Sequence, residues 1–460
     1  MKKLSILLFT LLCLVIGKAN AQYTVLHYFN GSNGSNPSGS LLFSNNKFYG
    51  LTVGGLTGYG CIFSMDIDGS GYKDMFDFNG TNGYQPNGSF ILIGNTLYGM
   101  TDLGGANNYG VIFSIDTTGS PFKLLYNFNG TDGANGVADL TSLGNKFYGM
   151  ASSGSGATFF GTVFSIDSDG NGYKNMMDFN GTNGGGPDGD LTPSGSHLFG
   201  MTQIGGGTYG RGCVFSIDTN GNGFKPLIYF NDTNGATPYG SLVLSNGKLF
   251  GMTMNGGADS DGCIFSIDTD GSRYKRLHDF DGFHGANPVG SLILSENILY
   301  GMARYGGAYG WGCIFSIDTN GNNYIDLFDF HDSDGAFPEG SLTLLGGVLY
   351  GMTDAGGIKN LGVIFSFKDS ITGINELTSS SGAVNVYPNP NNGKFTIQSS
   401  VISPKSLVEV YNMFGEMIYS TKLNSANTQV DLSNNSNGVY LYRVISATGD
   451  LVSEGKFIKE

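Results

Sequence analysis

The side chains best suited to chemistry lie in short polar segments between apolar runs. The acidic segments Asp66–Ser70, Asp268–Ser272 and Asp318–Asn322 place oxygen atoms at alternate positions, as a calcium-binding loop does. They lack the bidentate glutamate that completes an EF-hand loop, and Asp or Asn before Gly is also what a tight hairpin turn requires. Turn formation is therefore the favoured interpretation, calcium binding is the weaker alternative, and no other cofactor or metal is expected.

An aromatic segment suggests a binding surface. Arg304, Tyr305, Tyr309 and Trp311, the only tryptophan of the chain, follow one another closely. Comparable places elsewhere carry Tyr59, Tyr109, Phe160 and Tyr209, and we add Tyr209 and Tyr109 to the predicted ligand-binding residues. Aromatic rings offer flat apolar faces beside polar atoms, which suits stacking on sugars. The segment predicts a site for a glycan or surface polymer, and the alternative is that the rings cap the ends of the structural elements beside them.

Catalytic motifs do not emerge from the sequence. None of the five histidines stands in a known nucleophile motif with Ser or Cys. No paired carboxylates stand out from the background of the chain, as a glycosidase would need about 5 to 9.5 Å apart. We therefore predict no catalytic residues, and a secreted polysaccharide-degrading enzyme remains an alternative to a binding protein.

The positions of the cysteines indicate buried thiols. Cys61, Cys213, Cys263 and Cys313 precede the same Ile-Phe or Val-Phe pair, where Val or Thr stands elsewhere in the chain. A position that accepts Cys, Val or Thr requires a small apolar side chain. Because such equivalent positions are expected to lie too far apart for a disulfide, we predict four free thiols.

These segments belong to a repeat of about 50 residues. A Tyr-Gly or Phe-Gly pair recurs seven times, with its glycine at Gly50, Gly99, Gly149, Gly200, Gly251, Gly301 and Gly351. Each repeat holds four short apolar runs rich in β-forming residues, separated by Gly, Asn, Asp or Pro. Seven four-stranded units of this length predict an all-β, seven-bladed β-propeller.

The two ends of the repeat region are complementary. The segment 23–29 resembles a fourth strand without its own repeat, and the last repeat stops after Phe367 without that strand. The N-terminal strand is therefore predicted to complete the seventh blade and close the ring, which leaves no unpaired edge. An open solenoid is the alternative.

Two stretches of the sixth repeat carry a family resemblance. The patterns in Leu299–Gly307 and Gly312–Asp318 resemble the GloVer tandem repeat of secreted bacterial proteins, and the likeness covers about residues 23 to 370. The resemblance implies a propeller-like array and no established activity.

The N-terminus has the features of an export signal. Lys2 and Lys3 precede the apolar run Leu4–Ile16, and Ala19-Asn20-Ala21 follows. This order predicts a secretory signal peptide over residues 1–21, cleaved before Gln22. No other segment is long and apolar enough to cross a membrane, so the mature chain is expected to lack a transmembrane segment.

The C-terminal region begins with a distinctive motif. After a Ser/Thr/Gly-rich linker at 369–383, alternating runs predict a small β-sandwich over 384–460 that opens on Tyr387, Pro388, Asn389, Pro390 and Gly393. This region resembles the type A C-terminal sorting domain of the type IX secretion system. The resemblance implies passage across the outer membrane, with the type IX machinery as partner and surface attachment or release as the outcome.

Composition restricts the class of partner. The formal net charge is −14, and an acidic surface repels nucleic-acid phosphates and anionic lipid. The sequence thus predicts a signal peptide (1–21), a propeller (22–368), a linker (369–383) and a sorting domain (384–460). The favoured function is a secreted or cell-surface binding or adhesion module, and a structural surface-layer protein is a further alternative.

Overall fold

The computed structural model describes residues 22–154, 159–368, 384–399, 406–412, 417–423, 427–445 and 451–459. The predicted signal peptide and linker lie outside these residues. The chain divides into two compact units, Met1–Asp369 and Ser370–Glu460. Both units are built of β-strands, and the described parts contain no helix, hence none that could cross a membrane.

The first unit contains seven four-stranded antiparallel sheets, which we number in chain order. Strand β1 (Gln22–Tyr28) comes first in the chain. Sheet 1 contains β2 (Leu42–Ser44), β3 (Lys47–Thr52), β4 (Cys61–Asp66) and β5 (Lys73–Asp77), and sheet 2 contains β6 (Ile91–Ile93), β7 (Thr96–Thr101), β8 (Val111–Asp116) and β9 (Phe122–Asn127). Sheet 3 contains β10 (Thr141–Leu143), β11 (Lys146–Ala151), β12 (Thr162–Asp167) and β13 (Lys174–Asp178).

Sheets 4 to 7 repeat this pattern along the chain. Sheet 4 contains β14 (Thr192–Ser194), β15 (His197–Thr202), β16 (Cys213–Asp218) and β17 (Lys225–Tyr229), and sheet 5 contains β18 (Val243–Ser245), β19 (Lys248–Thr253), β20 (Cys263–Asp268) and β21 (Lys275–Asp279). Sheet 6 contains β22 (Ile293–Ser295), β23 (Ile298–Ala303), β24 (Cys313–Asp318) and β25 (Ile325–Asp329). The last repeat supplies β26 (Thr343–Leu345), β27 (Val348–Thr353) and β28 (Val363–Lys368) to sheet 7.

The seventh sheet combines the two ends of the repeat region. Its strand order is β1-β28-β27-β26, and β1 pairs antiparallel with β28 from Gln22 opposite Lys368 to Tyr28 opposite Val363. The N-terminal strand therefore occupies the place of the fourth strand that the last repeat lacks, as the sequence predicts.

A glycine in the second strand of each sheet makes room for a phenylalanine in the third. In sheet 5, Gly251 lies opposite Phe265, and a Cβ atom at Gly251 would stand 2.7 Å from Cζ of that ring. The same pairing joins Gly301 to Phe315 in sheet 6. This close approach explains why the Tyr-Gly or Phe-Gly pair of the second strand recurs together with a phenylalanine in the third strand.

Apolar side chains fill the space between neighbouring sheets. One buried cluster lies between each consecutive pair of sheets, from sheets 1 and 2 to sheets 6 and 7. A further cluster joins sheet 7 to sheet 1, with Tyr350 and Met352 against Phe48 and Phe63. The second and third strands are buried on both faces because each sheet is covered on both sides.

Hydrogen bonds also link the segments that lead into the first strands of neighbouring sheets. Just before each first strand, a backbone amide donates to the side chain at the equivalent position of the next sheet. The donor and acceptor residues are Ser40 to Ser89, Ser89 to Asp139, Asp139 to Asp190, Asp190 to Ser241, Ser241 to Ser291, Ser291 to Ser341 and Ser341 to Ser40. We call these seven residues the axial ring, and its last bond returns to sheet 1.

Two aspartates replace serine in the axial ring. The amide of Asp139 donates to Oδ1 of Asp190 at 2.6 Å, so the two side chains are neighbours. Burial raises the pKa of Asp139, and the Asp190 carboxylate raises it further; burial also raises the pKa of Asp190. The expectation that no paired carboxylates depart from the repeat background is therefore wrong, because these two residues break the repeat at equivalent positions.

The second unit contains two sheets with a shared core. One sheet has the order β29-β30-β33 and the other β32-β31-β34-β35. The strands are β29 (Val384–Tyr387), β30 (Lys394–Ser399), β31 (Leu407–Tyr411), β32 (Met417–Lys422), β33 (Asn427–Asp431), β34 (Gly438–Ile445) and β35 (Leu451–Lys459). Phe395 and Val430 of the first sheet lie in one buried cluster with Val408 and Phe457 of the second.

Tyr23 is expected to hold β1 in the seventh sheet. Its ring stacks on Phe328 with centroids 4.1 Å apart, and its hydroxyl donates to the carbonyl of Asp334 at 2.6 Å. Tyr23→Ala should lower the free energy of unfolding by about 3 kcal/mol, because it removes both contacts. Urea denaturation measures this, with Tyr28→Ala in the same strand as the matched control, since Tyr28 is 37% exposed. Equal losses for the two variants would contradict this role of Tyr23.

Asp139 is expected to make stability depend on pH. An acid whose pKa is higher in the folded chain binds more protons when folded, so its contribution to stability falls as the pH rises above about 4. Asp139→Ser restores the residue found at most ring positions and should reduce this fall by at least about 1.4 kcal/mol, the equivalent of one pKa unit. Urea denaturation at pH 5 and pH 8 compares it with the parent and with Asp259→Ser, a change at an exposed position. If the free energy of unfolding of Asp139→Ser falls between pH 5 and pH 8 as much as that of the parent, Asp139 is not the source of the pH dependence.

Candidate functional site

A cavity of about 520 Å³ lies beside the axial ring. All seven sheets of the first unit contribute to its lining through the residues that lead into their first strands. Six of the seven repeats have glycine directly before the ring residue, and the third has Ala138. These small residues let the segments approach closely: a Cβ on Gly290 would overlap the carbonyl oxygen of Gly340 in the next sheet.

The position before that glycine or alanine differs between repeats although its surroundings stay constant. The residues at this position are Ser38, Asn87, Val137, Asp188, Tyr239, Val289 and Glu339, and all of them line the cavity. We call them the variable ring. The sequence analysis missed these positions, and the signal that could have found them is variation within an otherwise fixed segment of the repeat.

Arg304 adds a positive charge to the lining of the cavity. This residue directly follows strand β23 and forms an ion pair with Glu339, with Nη2 2.6 Å from Oε1. Its Nε atom is buried and finds no hydrogen-bond partner among the described residues. Of the residues predicted to bind ligand, Arg304 is the one that reaches the cavity.

Two carboxyl groups of the variable ring titrate near neutral pH. Burial raises the pKa of Asp188 to about 7, and the charge of Asp102 adds to this rise. Burial also raises the pKa of Glu339 to about 7, with a contribution from Asp354 that the nearby Arg304 opposes. Gln203 donates a hydrogen bond to Asp188, which favours the ionised form without cancelling the effect of burial.

The structure separates the predicted aromatic residues of sheet 6 into two groups. The rings of Tyr305 and Trp311 both pack on Phe337, each with centroids 5.1 Å apart, and are partly buried. Tyr309 is 58% exposed and touches His331 edge to face. Two of the predicted rings therefore support the loop, and the third remains open to a ligand.

Exposed tyrosines occupy the equivalent loops of other sheets. Tyr209 of sheet 4 is 65% exposed and Tyr109 of sheet 2 is 44% exposed. Both lie between the second and third strands, as Tyr309 does, so all three emerge at the same ends of their sheets. We call the surface at these ends the loop face, and Arg304, which begins the corresponding loop of sheet 6, connects this face with the cavity.

The acidic segments form turns between the third and fourth strands. Asp68 accepts hydrogen bonds from the amide and the hydroxyl of Ser70, at 2.9 and 2.7 Å. Asp318 likewise accepts from the amides of Asn320 and Asn322. Their oxygens thus stabilise the turns, and no group of three or more His, Cys, Asp or Glu residues within the described chain is placed to hold a metal ion.

The four cysteines among the described residues, Cys61, Cys213, Cys263 and Cys313, are free and buried, as predicted. Burial raises the pKa of the thiol groups; for Cys213 and Cys263 the pKa reaches about 11. The thiol of Cys263 contacts the hydroxyl of Thr253 at 3.3 Å in the core. Such thiols are protonated at neutral pH and poorly suited to act as nucleophiles.

The motif of the second unit contacts the end of the chain. Oδ1 of Asn389 accepts a hydrogen bond from the amide of Ile458, and the amide of Asn391 donates to the carbonyl of Ile458. Tyr387, Pro388 and Pro390 are exposed beside this contact. Gly393 has a φ of +95°, which a side chain would strain, and its carbonyl accepts from the amide of Leu432.

Comparisons with known proteins assign families to both units. The family model of the Gloeobacter/Verrucomicrobia repeat matches residues 14–208, 138–309 and 196–396. The model of the secretion system C-terminal sorting domain matches residues 385–460. A search of curated proteins gave no match.

Several solved structures are similar to the chain at low sequence identity. PorZ, a surface component of the type IX secretion system of Porphyromonas gingivalis, is 15% identical with a TM-score of 0.35; the match covers 91% of this chain and 64% of PorZ. The GH74 enzyme of Niastella koreensis is 12% identical with a TM-score of 0.50, covering 94% of this chain and 73% of the enzyme. A fungal alcohol oxidase of the AA5 family is 10% identical with a TM-score of 0.44, and the match covers 95% of this chain and 98% of the oxidase.

The likeness to the GH74 enzyme concerns the fold alone, because identity this low carries no information about activity. The family models, in contrast, cover more than half of the chain and its C-terminal region. The protein belongs to the Gloeobacter/Verrucomicrobia repeat family, ends in a type IX sorting domain, and is therefore a secreted protein of the cell surface or the extracellular space.

Proposed function

We propose that this secreted protein is a binding or adhesion module whose ligand is a glycan or another surface polymer. The observation that carries the proposal is the placement of exposed tyrosines on the loop face. Tyr109, Tyr209 and Tyr309 stand on three different sheets, so a ligand of several units can contact more than one of them. Aromatic rings with a polar tip are suited to sugars, which present apolar faces and many hydroxyl groups.

We infer that the seven sheets are the blades of a closed β-propeller and that the two sheets of the second unit form a β-sandwich. The bonds of the axial ring, the cluster between sheets 7 and 1 and the pairing of β1 with β28 support closure. The core shared by the two sheets supports the sandwich. A closed ring provides a rigid frame, on which loops can vary without loss of the core.

Residues 385–460 supply the route to the cell surface. A sorting domain at the C-terminus engages the type IX machinery, and the contact of Asn389 and Asn391 with the last strand holds the motif and the chain end together. The binding unit would then act outside the cell, either attached to the surface or released.

Replacing exposed tyrosines should weaken glycan binding. We expect the double variant Tyr209→Ala/Tyr309→Ala to bind at least about tenfold more weakly than the parent, since each stacking contact contributes about 0.5–1.5 kcal/mol. A glycan array, probed with and without a chelator, identifies a ligand and measures the change. Ile93→Ala, at the exposed last residue of strand β6 in sheet 2, is the control and should bind like the parent. Equal binding by the double variant would overturn the loop face as the site.

Removal of residues 385–460 should block export. The shortened chain is expected to remain inside the outer membrane, because it lacks the segment that the type IX machinery recognises. Cell fractionation and protease treatment of intact cells measure its location, and the full chain carrying Tyr209→Ala is the control because its sorting domain is intact. A shortened chain that still reaches the surface would contradict the role of this domain.

A further inference from the structure

The cavity beside the axial ring has the size and position of a ligand site. Its volume of about 520 Å³ lies within the range of about 300–1,000 Å³ that is usual for small-molecule sites. It is lined by seven sheets and reached by Arg304, which connects it with the loop face. A polymer bound on that face could therefore extend one of its units into the cavity.

Comparison of the seven repeats distinguishes the nearly constant residues of the axial ring from the residues of the variable ring, which differ between repeats. The axial ring and the small residues before it hold neighbouring sheets together and are nearly the same in every repeat. The variable ring comes directly before them, yet it contains six residue types at seven positions. Because the packing of the sheets does not fix these positions, their side chains are free to differ, as the recognition of an asymmetric ligand requires.

The charges of the lining disfavour an anion. Asp188 and Glu339 line the cavity together with Asp139 and Asp190, and these carboxyl groups repel a negatively charged ligand. Arg304 already pairs with Glu339, and burial favours the uncharged form of the three aspartates, so a cation regains little of the hydration that it loses on entering. A neutral ligand avoids both the repulsion and this loss.

The hydrogen-bonding groups favour a ligand that both donates and accepts. Arg304 Nε is a buried donor without a partner in the described part of the chain, although its Nη2 atom pairs with Glu339. The carboxylate oxygens of Asp188 and Glu339 are acceptors, and the hydroxyl of Tyr239 can act as either. A sugar hydroxyl accepts from Arg304 and donates to a carboxylate, so several hydroxyl groups on one small ring match this lining.

We propose that the cavity is the subsite for one neutral sugar unit of the glycan, with Arg304 and Asp188 as its principal hydrogen-bonding residues. This inference rests on the proposed function and specifies it further. The tyrosines of the loop face would bind the rest of the polymer, and the cavity would select the unit that enters.

Substitutions in the cavity test this subsite. We expect Arg304→Gln and Asp188→Asn to bind neutral oligosaccharides on a glycan array about tenfold or more weakly than the full parent chain, since each removes a charge-assisted hydrogen bond. Arg273→Gln is the matched control: Arg273 is an 80% exposed arginine that pairs with Asp268 in a turn at the other ends of the strands, so its loss should leave binding unchanged. Thermal unfolding confirms that each variant is folded, and Tyr239→Phe, which removes only a hydroxyl, replaces any variant that is not.

The outcomes distinguish this inference from the proposed function. If the cavity variants bind like the parent while Tyr209→Ala/Tyr309→Ala does not, the subsite is overturned and the loop face remains the binding surface. If the array shows binding only to charged glycans, the neutral subsite is overturned. If no glycan binds the parent chain, both the proposed function and the subsite are overturned.

Discussion

The axial ring is the constraint on which the rest of the first unit depends. Each of its bonds joins a backbone amide of one sheet to a side chain of the next, and the last bond returns to Ser40. The segments can approach this closely because glycine or alanine stands beside every ring residue. Repeats that must make the same bond keep a small residue followed by Ser or Asp there, which explains why the Gly-Ser pair recurs along a chain whose loops differ.

This constraint also explains where the chain is free to change. The second and third strands are buried on both faces, so they retain glycine, phenylalanine and a small residue such as Cys263 at fixed places. The variable ring and the loops between the second and third strands are released from that requirement. The residues that could recognise a ligand are therefore concentrated at the axis and on one face, while the outer strands serve mainly to complete the sheets.

The sequence was sufficient to predict most of the fold, because the repeat presents each structural requirement seven times. The four short apolar runs of each repeat predicted the four-stranded sheets, and the pairing of β1 with the last repeat followed from the missing fourth strand. The candidate site was harder to predict. Tyr305 and Trp311 looked like ligand residues, but their contact with Phe337, which comes from the following connector, could not be read from their own segment. Asp139 and Asp190 are 51 residues apart, and their proximity depends on the ring bond between neighbouring sheets.

The same geometry bears on the alternative of a secreted enzyme. Acids with raised pKa values do meet at the axis, yet Asp139 and Asp190 also serve the ring, where each accepts a bond from the preceding sheet. Glu339 is paired with Arg304, and Asp188 accepts from Gln203, so the carboxyl groups nearest the cavity are already engaged as acceptors. Residues engaged in this way are suited to hold hydroxyl groups in a fixed orientation. Hydrolysis would instead require two of these carboxyl groups to stand at a suitable distance across a bound sugar. On the proposed function these groups serve recognition, and the variation of the chain lies in its loops and in the variable ring.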